Sequence, residues 1–410
     1  MSLNYSSHPS AETKSGSINK NVSIQTLRNA IPAHCFKPLY RWGLWYLFRD
    51  VALMMGVMAS AYHLIPMINS SIVRFVIWIL YGYLEGLIMT GIWVLGHECG
   101  HSALFPAESP NHVTGFLLHS FLLTPYFAWR SSHRRHHIYA NNVAKDHTYV
   151  PPSKEEYLSR ISSFKQNAKN VEDIIEDSPL YTLCRIILQQ FAGWPTYLVN
   201  NITASSGSLS KAHSKKFLGT SHFRPSSSLF RPEEANLVII SDLGIGAMLA
   251  LLWYAGQFVG TKSLFLLYFQ PYLWLNHWIV AITYLHHTHP ALPKYDDDSW
   301  SFIKGATATV DRNLGWTGKH LLHDVADYHV IHHLFPHMPF YYGEEATKAI
   351  KPILGSYYRE DKSHPFIFGL WESFTQCQYV EPDDPDADPG EQTLWYKGGP
   401  SPPPVYSMRR

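Results

Sequence analysis

The chain has 410 residues, of which 46% are hydrophobic, 14% aromatic and only 16% charged, a balance that favours a unit with part of its core in lipid over several small soluble domains. Its net charge of +1 excludes nucleic-acid recognition by bulk electrostatics, so no nucleic acid is expected among its partners. The four scattered cysteines, Cys35, Cys99, Cys184 and Cys377, form no C-x-x-C and point to neither a disulfide framework nor a thiolate zinc site. Histidine is the outlier, with 24 copies.

In chain order, residues 1–40 are Ser/Asn-rich without a sustained apolar run and read as a disordered cytosolic arm with no signal peptide. Residues 41–375 form the main domain. It opens with two apolar segments, Val51 to Ile68 and Ile72 to Leu95, and later holds two more, Leu237 to Val259 and Leu264 to Leu285. Each is long enough to cross a bilayer, which takes roughly 20 mostly apolar residues in a helix. Short polar turns, Asn69-Ser70-Ser71 and Gly260-Thr261-Lys262-Ser263, join them into two helical hairpins. Glu85 and Asp242 fall within these spans and are expected to face other helices, because an ionisable group in lipid is costly.

Nearly all other Lys and Arg lie outside the two turns and their flanks, so both termini and the central segment are assigned to the cytosol. Within that segment Phe116 to Trp129 is too short for a span, and Leu180 to Val199 is interrupted by Arg185, Gln189, Gln190 and Pro195. Both read as interfacial helices. Residues 376–410 read as an acidic, Pro-rich cytosolic tail. The expected fold is an all-α integral membrane protein, with four transmembrane helices in two hairpins and a cytosolic helical cap.

The cap carries the chemistry. His97-Glu98-Cys99-Gly100-His101 matches the H-E-x-x-H of zinc metalloprotease helices, in which Glu98 would be the base. Two further clusters argue otherwise: His133-Arg134-Arg135-His136-His137 and His329-Val330-Ile331-His332-His333. Spacings of three and four residues put imidazoles on one helical face, and two even crossings of the membrane bring all three clusters to one side. The second hairpin ends in His286-His287-Thr288-His289, where His287 offers a ninth ligand and the alternative is a structural histidine. Eight or nine imidazoles are too many for one catalytic zinc and suit two metals. A site at the cytosolic end of apolar helices faces hydrocarbon, whose C–H bonds offer no handle for hydrolysis. That favours a redox metal and O2, with iron the best choice.

The clusters HECGH, HRRHH and HVIHH resemble the three histidine boxes of the membrane fatty-acid desaturases. TPYFAWRSSHRRHH, DHTYVP, ITYLHHTHP and HVIHHLFPHMPFY resemble the methyl-end class, the microsomal Δ12 (oleate) and ω3 enzymes. The likeness runs from about residue 40 to 375. It implies that His97, His101, His133, His136, His137, His287, His329, His332 and His333 ligate a di-iron centre, with O2 as co-substrate. It also implies a fatty acyl lipid substrate, phospholipid-linked or acyl-CoA, membrane lipid around the spans and the endoplasmic reticulum as the location. Electrons would come from NADH through a reductase and a separate cytochrome b5, since the chain has no His-Pro-Gly-Gly haem motif. Arg134 and Arg135 are candidates for the docking surface or for lipid phosphate, and Glu98 and Asp327 for orienting imidazoles.

His286, Tyr328 and SALFPAE depart from the class pattern without removing a ligand. The resemblance therefore implies a cis double bond at Δ12, oleoyl to linoleoyl, and leaves open an ω3 desaturase, an acetylenase or a hydroxylase on the same scaffold. A zinc-binding transporter is the reading from another class.

Overall fold

The computed structural model describes residues 22–167, 179–201, 203–204, 219–362, 365–384, 386, 388, 390 and 392–397. Helices dominate. They are α1 (Ile24–Ala30), α2 (Tyr40–Leu64), α3 (Ser71–Gly100), α4 (Glu108–Phe121), α5 (Tyr126–Tyr139), α6 (Lys154–Asn167), α7 (Pro179–Asn200), α8 (Ala235–Val259), α9 (Thr261–Leu264) and α10 (Gln270–His287). The cap continues with α11 (Phe302–Thr307), α12 (Gly315–Leu321), α13 (His329–Leu334), α14 (Gly343–Leu354) and α15 (Phe366–Gln376). Two small sheets complete it, β1 (Asp311–Arg312) parallel to β2 (Glu360–Asp361) and β3 (Val380–Pro382) antiparallel to β4 (Leu394–Tyr396).

Among the described residues, three helical stretches are long and apolar enough to cross a membrane: Tyr40–Met67, Ser71–Gly100 and Pro232–Val259. Their outer faces expose large apolar side chains, such as Phe48, Phe75, Leu243 and Phe258, which lipid would cover. At 30 residues, α3 is ~45 Å long, well beyond the ~30 Å hydrocarbon layer. Its first half faces outward and its second half, from Tyr81 to Cys99, is almost wholly buried, so the HECGH end projects into the cap. Gly82 and Gly86 let α10 approach closely, for a Cβ on Gly86 would sit 2.4 Å from the Trp274 Cβ.

The fourth expected span, 264–285, is helical but broken. A π-turn occupies Phe265–Phe269 between α9 and α10, and the physical cause is Pro271. Proline has no N–H for the Leu267 carbonyl four residues earlier; the Tyr81 hydroxyl donates to that carbonyl instead, at 2.9 Å. Glu85 is turned inward, with 1% of its surface exposed, and Asp242 is half-buried.

Three expectations are corrected. Phe116 to Trp129 is not one interfacial helix, because Thr124-Pro125 ends α4 and starts α5; the residue before a proline avoids helical backbone. Residues 24–40, expected in the disordered arm, form α1 and a 3-10 turn, Ala33–Phe36. Leu27, Ile31 and Cys35 there enter a core with Val330, Ile331, Leu334 and Ile350. Beyond residue 376, β3 and β4 pair, and Leu394 exchanges backbone hydrogen bonds with Lys294 at 2.8 and 2.9 Å. Residues 1–21 and 398–410 lie outside the described residues.

Candidate metal centre

All nine histidines singled out in the sequence converge, in two groups. In the first, His97, His101, His133, His137 and His332 each bring one ring nitrogen within 4.8 Å of the others, and His136, His287 and His333 do the same in the second. His329 joins the second group, its Nε2 lying 3.2 Å from that of His287 and 3.1 Å from that of His333. Helix geometry explains the sorting. Positions i and i+4 lie ~40° apart around a helix while i+3 lies ~60° to the other side. From α5, His133 and His137 enter the first group and His136 the second; from α13, His329 and His333 enter the second and His332 the first.

The donor set fits a pair of metal ions. His133 Nε2 lies 2.9, 3.1 and 3.1 Å from the Nε2 atoms of His97, His101 and His137. One imidazole nitrogen carries a single proton or a single lone pair, so hydrogen bonding cannot satisfy three such neighbours. Nitrogens ~2.1 Å from a shared ion and at right angles would be ~3.0 Å apart. His332 Nε2 is buried with no hydrogen-bond partner among the described residues. Burial first, then neighbouring imidazoles, pushes His101, His133, His137, His329 and His333 well below the ordinary histidine range. That direction favours the neutral imidazole, the form that binds a metal.

Several imidazoles are aimed by partners on their far nitrogens. His136 Nδ1 donates to Asp146 Oδ1 at 2.9 Å, His329 Nδ1 to the Val325 carbonyl at 3.2 Å, and His97 Nδ1 lies 3.2 Å from Glu98 Oε1. Glu98 Oε2 accepts from the Phe340 backbone N–H at 3.2 Å, so Glu98 braces the centre from behind. Asp327 does not orient a box histidine; its carboxylate rests against Gly318.

Asp146 is itself held by the backbone N–H groups of Asn141 and Thr148, at 3.1 and 2.9 Å. Asn141 receives a hydrogen bond from the fully buried Lys294, whose ammonium also donates to the His287 carbonyl at 2.7 Å. Burial pushes Lys294 down to about 8. One polar chain thus runs from His136 through Asp146, Asn141 and Lys294 to His287. Asp311 performs a similar task for α13, accepting from the Val330 N–H at 2.8 Å and the Tyr358 hydroxyl at 2.6 Å. Sequence reasoning did not assign these roles. Asp146 stood inside the quoted DHTYVP, whereas Asn141, Lys294 and Asp311 carried no local signal.

Of the histidines around α10's end, only His287 enters a group. His286 has its ring nitrogens 2.5 and 2.9 Å from the Ile282 and Ala326 carbonyls, and His289 Nδ1 accepts from the Ala291 N–H at 3.1 Å. Arg135 is engaged by the Leu229 carbonyl and by Glu234 at 3.2 Å, leaving Arg134 as the exposed member of that pair.

Both histidine groups open on a cavity of about 510 Å³ between α3, α5, α7 and α10. His97, His133, His136, His287, His329 and His333 line one part of it. Trp93, Val94, Trp194, Ile279 and Ile282 supply apolar wall, and Thr148, Tyr149, Arg185 and Gln189 add polar lining.

A profile of the fatty acid desaturase family matches residues 70–364. The chain belongs to the fatty acid desaturase family. It is accordingly an oxidoreductase, and the protease and transporter readings lapse. It is 38% identical over 389 residues to an oleate hydroxylase of Claviceps purpurea, covering 92% of this chain and 81% of that one. It is 38% identical over 363 residues to a Δ12 fatty acid desaturase of Mortierella alpina, covering 88% of each. With a Δ12 fatty acid desaturase of Arabidopsis thaliana it shares 36% identity over 379 residues, 91% of each chain. Membership in this family gives the chain a fatty acyl substrate.

Proposed function

We propose that the protein is an O2-dependent acyl-lipid desaturase that inserts a cis double bond at Δ12 of an oleoyl chain, giving linoleoyl. The observation that carries this reading is the pair of histidine groups opening together on a largely apolar cavity. Two iron ions held by the nine histidines would supply the O2-derived oxidising power needed to break an unactivated C–H bond. Loss of two hydrogens from adjacent methylenes, with two electrons and two protons from outside, balances the reduction of O2 to two waters.

The chain's own residues position and shield. Trp93, Trp194, Ile279 and Ile282 hold the hydrocarbon against the imidazoles and exclude water, so placement of the acyl chain chooses the carbons. Asp146, Glu98 and the Val325 carbonyl fix the tautomers of His136, His97 and His329, keeping their Nε2 lone pairs inward. Tyr149, Gln189 and Arg185 are placed to meet the polar carrier of the acyl group.

The reading extends to the setting. Thr261 to His287 completes a fourth crossing despite its π-turn, both termini face the cytosol, and the protein resides in the endoplasmic reticulum membrane, the compartment named for Brassica juncea and Glycine max relatives. Electrons come from NADH through a reductase and a separate cytochrome b5, for which exposed Arg134 is a contact candidate.

A hydroxylase acting on the same oleoyl chain is the second reading, favoured by the Claviceps purpurea relative and by an oleoyl-12-hydroxylase of Ricinus communis, 38% identical over 375 residues. Hydroxylation needs the same two electrons and differs only in the fate of the carbon after the first hydrogen is removed. Expression in a yeast lacking polyunsaturates, with gas chromatography and mass spectrometry of fatty acids, separates the two. A new 9,12-diene is expected. A hydroxy acid would decide for the second reading, and no new product from oleate would overturn both.

A further inference from the structure

The cap holds a second meeting of metal-binding side chains, away from the nine histidines. His34 and Cys35 lie in the 3-10 turn Ala33–Phe36, and Glu345 lies in the first turn of α14. His34 Nε2 is 3.0 Å from Glu345 Oε2 and 3.7 Å from Cys35 Sγ, and the three donor atoms lie within 4.8 Å of one another. Ligands of a tetrahedral zinc ion, with sulfur at ~2.3 Å and nitrogen at ~2.0–2.1 Å, are ~3.6 Å apart. The sulfur and nitrogen already have that separation.

We propose that Cys35, His34 and Glu345 form a site for a zinc-class divalent cation, with water in the fourth position. A surface ion pair between His34 and Glu345 needs no sulfur. Here a fully buried cysteine, set among Leu27 and Ile31, brings its sulfur to the same nitrogen that faces the carboxylate. The mixed sulfur, nitrogen and oxygen set suits zinc over magnesium or calcium, which prefer oxygen alone. Binding takes the thiolate and releases the thiol proton to solvent.

The location gives the cation a task. It ties the segment ahead of the first membrane helix to α14, and α1, α13 and α14 share one apolar core through Leu27, Ile331 and Ile350. Since α13 carries His329, His332 and His333, the cation would staple the N-terminal segment over the back of that helix. Binding to the folded form adds stability in proportion to the logarithm of cation concentration over Kd.

Cobalt titration of the purified full-length protein, its histidine groups loaded with iron, tests this. The expected result is a near-ultraviolet thiolate-to-cobalt charge-transfer band, which groups of imidazoles alone cannot give, and which added zinc displaces. Cys35→Ser abolishes the band, while Cys184→Ser and Cys377→Ser retain it. His34→Ala and Glu345→Gln, both at half-exposed positions, weaken cobalt binding by roughly tenfold or more. No band in the unaltered protein at millimolar cobalt, or a band that survives Cys35→Ser, overturns the proposal.

Discussion

The two histidine groups share α5 and α13 yet are held differently. The first, His97, His101, His133, His137 and His332, takes all its members from the three H-x-x-x-H and H-x-x-H-H clusters. The second, His136, His287, His329 and His333, needs α10 to supply His287 and rests on the buried chain Asp146, Asn141 and Lys294. Among the described residues the first group's one outside brace is Glu98, beside His97, whereas the second rests on a longer buried polar chain. The sequence spacing creates both groups at once, but only tertiary structure completes the second.

Substitutions graded by position would break or sharpen that contrast. The largest effect is expected from His133→Ala or His333→Ala, each removing a histidine central to its group: product formation in yeast should fall below detection. His287→Ala should abolish product as well, and differs in what it leaves behind. Iron analysis of the purified variant should find about one ion per chain retained, because the first group does not use His287. Retention of two ions would dissolve the distinction between the groups.

Smaller losses follow for residues that only aim ligands. Asp146→Ala leaves His136 without its anchor and should lower activity or iron affinity on the order of 10–100-fold, measurable as product yield and iron content at limiting iron. Lys294→Met, which loses contact with the backbone carbonyl of His287 but with no imidazole, should fall at or below the lower end, roughly tenfold. If Lys294→Met proved as severe as His287→Ala, the polar chain would be holding the backbone of α10 and not merely trimming an imidazole. The mildest change expected is Ala192→Phe, which narrows the cavity wall. Total turnover should change little while the product profile shifts toward shorter chains, read by gas chromatography.

The nine histidines were legible in the sequence because helical spacing is local and three clusters on one membrane side are hard to place otherwise. The long apolar helices α2, α3 and α8 were legible for the same reason, whereas His287 was singled out from its run by the family resemblance. What escaped depends on distant contacts. Asn141 and Lys294 are 153 positions apart, and Asp311 acts on α13 through a turn of chain that no periodicity marks. Residues 24–40 looked like a polar arm because three buried side chains, Leu27, Ile31 and Cys35, are too few to register until α13 and α14 arrive to cover them. The break at Phe265–Phe269 follows from Pro271, but its rescue by Tyr81 lies on another helix.

The central claim is that the nine histidines hold two irons that oxidise an acyl chain. Metal analysis of the protein purified from yeast membranes, alongside its His133→Ala and His333→Ala variants, tests it most directly. The account predicts two irons per chain in the active protein and a parallel loss of iron and product in both variants. Active protein containing zinc without iron, or undiminished iron and product in the variants, would contradict it.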